Sequence, residues 1–157
     1  MTKQSDEDVP QRRLVAAALC LNDVHEVLLV KPTYRNSWLL PGGMVEAEES
    51  PHAGCGREVR EELGLTLACA RLLCVDYRSR QKAKVEGVHF LFEGGVLSAT
   101  QIGAIRLPPE ELMAFQFFPL AEAVRRLPAK GGRLLTHALG AWETGQTYYL
   151  EEGEPFR

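Results

Sequence analysis

Apolar and polar positions divide the chain into blocks. A polar opening, 1–10, reads as a loose lead-in. Two apolar runs, 14–21 and 26–30, flank Asn22-Asp23-Val24-His25, the pattern of a β-hairpin. A loop over 32–41 carries Tyr34, Arg35 and Trp38 and runs into Gly42-Gly43. From Ser50 the pattern turns helical. Ser50 suits the N-cap, Pro51 the first turn and Gly64 the stop, so a helix is predicted over 50–63. The stretches 65–77 and 85–97 are strand-rich. Pro108-Pro109 interrupts the chain ahead of 110–114, and 115–118 reads as a short strand. Segments 121–127 and 134–142 show helical apolar spacing fit for packing on a sheet. Gly94-Gly95 and Gly131-Gly132 read as plain turns, and 151–157 as an exposed acidic tail. Strands interleaved with a few helices predict one α/β domain over 11–150, a mixed sheet between helices.

The length of 157 residues suits a single domain. Eighteen basic against 21 acidic residues leave a net charge of −3, which argues against a nucleic-acid binder held by phosphate contacts. No apolar run approaches the roughly 18 residues of a membrane span. Arg12-Arg13 before 14–21 imitates a secretion signal, but the run ends at Asn22-Asp23 without a cleavage pattern, so a buried strand is predicted. Cys20, Cys55, Cys69 and Cys74 form no C-x-x-C pair and read as reduced, packed thiols of a cytoplasmic protein. His25, His52, His89 and His137 are scattered and read as structural or surface residues.

The chemistry concentrates in 43–65, GMVEAEESPHAGCGREVREELGL. Glu58, Glu61 and Glu62 stand three and four apart and share a helical face. All lie in the last two turns before Gly64, where the helix dipole disfavours each acid by roughly 0.3–1 kcal/mol. Neighbouring like charges add a few tenths of a kcal/mol per pair. Arg57 and Arg60 offset part of this. A bound divalent cation would reverse the sign of the repulsion, and hard carboxylate oxygens suit Mg²⁺. The Gly42-Gly43 turn lets a main-chain carbonyl approach such a site.

This segment resembles the signature of the Nudix hydrolases: Gly, five residues, Glu, seven residues, then Arg-Glu-apolar-any-Glu-Glu-any-Gly-apolar. Gly43, Glu49, Arg57, Glu58, Val59, Glu61, Glu62, Gly64 and Leu65 match every specified position. At residue frequencies of about 5–7% a chance match is on the order of one in ten million. Trp38-Leu39-Leu40-Pro41-Gly42-Gly43 resembles the usual approach to the box. The resemblance implies a Nudix fold, a mixed β-sheet sandwiched between α-helices with the box as a loop–helix–loop. It implies Mg²⁺- or Mn²⁺-dependent hydrolysis of a nucleoside diphosphate linked to another group. Carried over by position, Glu58 and Glu62 are the main metal ligands. Glu61 is a third ligand or holds a water on the metal, and the Gly43 carbonyl is a backbone ligand. Arg57 orients the glutamates with Glu49 as its partner. Two departures stand out: Glu48 occupies a position where Gly is frequent, and Gly54 and Gly56 lie inside the helix where Ala is common. Each helical Gly costs about 1 kcal/mol relative to Ala, with close packing or a soft first half as its consequence.

The implied reaction is attack of a metal-activated water on phosphorus. The general base varies in this family, and here the candidates are a box glutamate, Glu93, Glu110 or Glu111. Tyr34 and Trp38 can stack on a base, and Lys31 and Arg35 can meet phosphates, while Trp38 equally fits a core or rim position. The expected partner is a small nucleoside-diphosphate substrate, with neither nucleic acid nor membrane. Dimers are frequent among relatives. Two other functions compete. One is a non-catalytic Nudix-fold nucleotide sensor, although such a protein would usually have lost a ligand glutamate. The other is an isomerase on a diphosphate-bearing isoprenoid, which needs a cysteine–glutamate pair that this sequence does not set up.

Overall fold

The structure is a computed structural model describing residues 9–82 and 84–156; the expected lead-in, apart from Val9 and Pro10, lies outside the described residues. The elements are β1 (Arg13–Leu21), β2 (Val27–Pro32), β3 (Gly42–Met44), α1 (Pro51–Leu63), β4 (Leu72–Arg78), β5 (Gly87–Val96), α2 (Ala99–Gly103), β6 (Leu112–Phe118), α3 (Leu120–Arg126), α4 (Ala129–Thr144), β7 (Tyr148–Glu151) and β8 (Glu154–Pro155). The strands form one sheet in the order β6-β2-β1-β5-β4-β7-β8, with β3 added on β1. Pairing is parallel for β1–β5 and β4–β7 and antiparallel elsewhere. This is the mixed α/β sheet expected.

The central strands read as continuous apolar runs because both faces are covered. Ala16, Ala18 and Cys20 of β1 join Cys55, Val59 and Leu63 of α1 in one core. Leu19 and Leu21 point the other way and join Leu91, Leu135, Ala138 and Leu150 beneath α4. The hairpin between β1 and β2 is closed by the Asn22 carboxamide, whose oxygen accepts the N–H groups of Val24 and Glu26. The α1 ends match expectation. Ser50 Oγ accepts the Ala53 N–H at 3.1 Å, and Gly64 stops the helix at φ 70°.

Four local expectations need correction. Gly94-Gly95 is not a turn but lies inside β5, where the pairing with β1 slips by one residue between Glu93 and Gly95. The strand β6 begins at Leu112, earlier than predicted, because it pairs along the whole of β2. Gly131-Gly132 is not a turn but part of α4, which starts at Ala129. A Cβ on Gly132 would stand 2.8 Å from the Val124 carbonyl oxygen, so this glycine lets α3 and α4 approach. The acidic chain end is not a free tail: Glu151 completes β7, and β8 folds back on it through a turn at Glu152-Gly153. Its side chains remain largely exposed, but the backbone extends the sheet edge.

The departures within the box have local causes. Glu48 adopts φ 60°, a left-handed conformation that favours glycine. Gly54 is needed for space, since a Cβ there would lie 2.9 Å from Glu49 Oε2. Gly56 has no such reason, its nearest contact being 3.5 Å away at the Arg60 guanidinium.

Two expected outcomes follow for stability, read as midpoints of urea unfolding. Gly132→Ala should destabilise by about 1–3 kcal/mol through overpacking, whereas Gly131→Ala should be neutral or stabilise by up to about 1 kcal/mol. Glu48→Gly should stabilise by about 1 kcal/mol by relieving the left-handed backbone.

Candidate active site

Glycine 43 and α1 come together because β3 pairs with β1 through Ala17–Gly42, Ala16–Gly43 and Val15–Met44. A Cβ on Gly43 would fall 2.5 Å from Glu58 Oε1, so the carboxylate occupies the space a side chain would take. One turn on, Glu62 Oε2 accepts the Gly42 N–H at 3.0 Å. The absence of side chains at 42 and 43 thus lets two carboxylates of α1 rest against the β3 backbone.

Arg57 binds the box together. Its Nε and Nη2 donate to the two Glu49 oxygens at 2.8 and 3.0 Å, a bidentate fork. Its Nη2 also reaches the Met44 carbonyl at 2.9 Å. Nη1 donates to Glu58 Oε1 at 2.9 Å and to Glu61 Oε2 at 3.1 Å. Glu49 Oε2 accepts the Glu46 N–H at 3.0 Å, closing the loop before the helix. Charge-assisted hydrogen bonds of this kind are roughly twice as strong as neutral ones. Of the acids Arg57 touches, Glu58 and Glu61 lie in the unfavourable half of the helix dipole; Arg57 offsets this in part at Glu58, whereas Glu61 is 55% exposed and gains little.

The charges respond accordingly. Hydrogen bonds from Arg57 hold the Glu49 carboxyl below its ordinary range, and Glu49 in turn raises the Arg57 guanidinium. Burial lifts the Glu58 carboxyl despite Arg57, with Glu61 and Glu111 adding repulsion. Glu62 is the extreme case. Burial pushes it up to about 8, the Gly42 N–H opposes this, and Glu58, Glu111 and Glu61 add repulsion. Arg57 does not reach it among the described contacts.

This donor set fits a divalent cation. It consists of carboxylate oxygens and a main-chain carbonyl, all hard, around a half-buried acid that a counter-charge would relieve. Among the described residues no three His, Cys, Asp or Glu side chains close into a cage. An open set of donors suits Mg²⁺, which keeps waters and takes substrate phosphates as ligands.

The candidate bases are not equivalent. Glu111, in the turn before β6, bears electrostatically on both Glu58 and Glu62. Glu110 lies beside it, its carbonyl accepting the Thr33 hydroxyl. Glu93 is committed elsewhere, holding Arg71 at 3.1 Å and the Trp142 indole N–H at 3.0 Å, while Arg71 caps the carbonyls at the end of α4.

Gly42 and Gly43 also wall a cleft of about 540 Å³. Tyr34 and Arg35 line it. Trp38 packs edge-on against Phe118 at 5.0 Å, in the core beneath α4. Lys31 is turned to the Arg35 and Asn36 carbonyls and holds that loop. The cleft also gathers Arg13, Arg78, Lys84, Lys130 and His89, which the reading of the sequence did not single out. Their convergence depends on strand pairing, which no local pattern in the sequence gives. All four cysteines are free and buried.

A family model for the NUDIX domain matches residues 11–138. Diphosphoinositol polyphosphate phosphohydrolase 2 of Rattus norvegicus is 46% identical over 61 residues, 37% of this chain and 34% of the relative. The chain spans little more than a third of the length of the curated relatives it matches. A MutT NUDIX hydrolase structure from Burkholderia pseudomallei is 29% identical over 76% of this chain and 88% of its own, with a TM-score of 0.60. The NUDIX domain of Shewanella oneidensis NrtR, solved with ADP ribose, superimposes with a TM-score of 0.72 over 89% of this chain and 94% of its own, at 19% identity, a likeness of fold. Nudix proteins generally use divalent metals such as Mg²⁺. With the family pattern running from the first strand into α4, around a box complete at every specified position, the chain belongs to the Nudix hydrolase family.

Proposed function

We propose that this chain is a pyrophosphohydrolase dependent on Mg²⁺ or Mn²⁺, cleaving the diphosphate linkage of a small phosphorylated molecule, with nucleoside diphosphate derivatives as the leading class. The observation that carries this reading is Glu62, a half-buried carboxylate beside Glu58 that hydrogen-bonds only a backbone N–H, Gly42's, among the described contacts. Such a group is stabilised by a cation. Glu58, Glu62 and the Gly43 carbonyl hold that cation, with Glu61 at the exposed side. When bound, it acidifies water, screens phosphate charge and stabilises the leaving oxygen.

Arg57 and Glu49 act as positioning residues: the fork fixes the rotamer of Glu58 and ties the loop carrying Gly43 to α1. Glu111 is the proposed general base, its carboxylate taking the proton of the attacking water as the oxygen bonds to phosphorus and the bridging oxygen departs. The rat relative's diphosphoinositol polyphosphates and the ADP ribose bound to the NrtR domain both contain a diphosphate bridge. That supports the bond class rather than one substrate.

The deciding experiment is phosphate release or ³¹P detection with Mg²⁺ over nucleoside triphosphates, ADP-ribose, dinucleoside polyphosphates and nucleotide sugars. Turnover of at least one is expected, and Glu62→Gln should lower kcat by roughly a hundredfold or more with the fold intact. Near-normal activity in that variant would remove Glu62 from the site. Glu111→Gln should lower kcat by roughly 10²–10⁴-fold, while Glu110→Gln should stay close to wild type. Metal-free protein should also show a pH signature. The Glu62 carboxyl is raised from 4.5 to about 8, so its contribution to stability is full below about 4.5 and lost as pH rises through about 8. In EDTA, the stability of wild type relative to Glu62→Gln should therefore fall between pH 5 and pH 9, and Mg²⁺ should restore it most at the alkaline end; thermal melts check this.

A further inference from the structure

The cleft beside the box is far more basic than the molecule as a whole. Five of its lining residues are cationic, Arg13, Arg35, Arg78, Lys84 and Lys130, and among the described residues no Asp or Glu lines it. The whole chain carries −3. The concentration follows from strand register. Arg13 of β1 pairs with Gly87 of β5, and Gly87 pairs with Arg78 of β4. The three lie in one row, so two guanidinium groups flank a position with no side chain. Two residues along, Val15, His89 and Asp76 form the next row on the same face. Lys130 enters from the first turn of α4, Lys84 from the segment before β5 and Arg35 from the loop after β2.

Two of these cations are anchored from behind. Arg78 donates to the fully buried Asp76 at 2.9 Å, and Asp76 also accepts the Gly153 N–H at 2.8 Å. Lys130 pairs with Glu152. Among the described residues, Arg13, Arg35 and Lys84 form no ion pair, leaving their charge for a ligand. The field is felt at His89: burial first, then Arg78, Arg13 and Lys130, hold its pKa down at about 3. The imidazole is therefore neutral and can donate an N–H without adding charge.

We propose that this cleft binds the part of the substrate beyond the scissile diphosphate, and that this part is itself phosphate-rich: a small polyanion with several clustered phosphate groups, gripped by Arg13, Lys84 and Arg35 over a floor of Arg78, Lys130 and His89. The inference rests on the hydrolase reading for the reaction and concerns what the enzyme selects. The cleft volume of about 540 Å³ fits a small molecule. A nucleic acid would need a basic surface extending beyond a concave pocket. An uncharged nucleoside would be read chiefly by stacking. Apart from His89, the one aromatic side chain on the wall is Tyr34, 75% exposed, since Trp38 is packed on Phe118.

The test separates binding from turnover. Metal-free protein in EDTA at about 0.15 M salt is titrated calorimetrically with inositol hexakisphosphate, which has six phosphate monoesters and no diphosphate, and with ADP-ribose. The hexakisphosphate should bind roughly tenfold tighter or better, and Arg13→Gln/Lys84→Gln should weaken it by roughly tenfold or more with an unchanged melting temperature. Arg125→Gln, on the outer side of α3, should leave binding unchanged. In turnover, the double variant should lose kcat/KM, mainly through KM, by a larger factor on a dinucleoside tetraphosphate than on ADP-ribose. Hexakisphosphate binding no tighter than ADP-ribose, or a double variant that binds like wild type, would overturn the proposal. If no diphosphate is hydrolysed by wild type, the hydrolase reading fails while the calorimetric result still decides the cleft.

Discussion

The box depends on one guanidinium. Arg57 joins the loop after β3, through the Met44 carbonyl, to the loop before α1, through Glu49, and to the helix face, through Glu58 and Glu61. Three acids and a carbonyl would otherwise face one another across a turn with no reason to stay. A lysine offers three donors from one point and cannot fork onto Glu49 while also reaching Met44 and Glu58. The planar spread of the guanidinium lets a loop without regular structure hold a carboxylate cluster in place.

That fork is selective, and the selectivity shapes the site. It satisfies Glu49 and partly offsets Glu58, yet leaves Glu62 to a single backbone hydrogen bond. An acid that burial and neighbouring carboxylates push up to about 8 is costly to ionise in the absence of a cation. The Gly42-Gly43 pair makes this possible, because any side chain at 43 would evict the Glu58 carboxylate. A stabilising arginine and a destabilised glutamate thus sit five residues apart on one helix.

The sheet supplies the second half of the arrangement. β1 is paired on one edge with β3, which carries the box glycines, and on the other with β5, which carries Gly87 and His89. One strand therefore connects the carboxylate face to the basic cleft. The acids lie over the face covered by α1, and the cations of the cleft line the face shared with α4. Gly42 and Gly43 adjoin both, resting against the carboxylates of α1 and walling the cleft.

How much of this was legible in the sequence depends on the range of the interactions. The box helix and its Ser50 and Gly64 caps were readable from residues within one short segment whose spacing already sets the geometry, and the Arg57–Glu49 partnership from the resemblance of that segment to the Nudix signature. The alternation of elements sufficed for a mixed sheet between helices. Tertiary structure decided the rest. It drew Gly131-Gly132 into α4, because contact with α3 overrides the local tendency to turn. It committed Trp38 and Glu93 to packing against Phe118 and Trp142, and brought Glu111 rather than Glu93 to bear on the box. It assembled the basic cleft from positions 13, 35, 78, 84 and 130, which no local pattern connects. A helix repeats its geometry every few residues and so can be read from spacing alone. A surface built across paired strands exists only once the register is set, and the register is a property of the whole sheet.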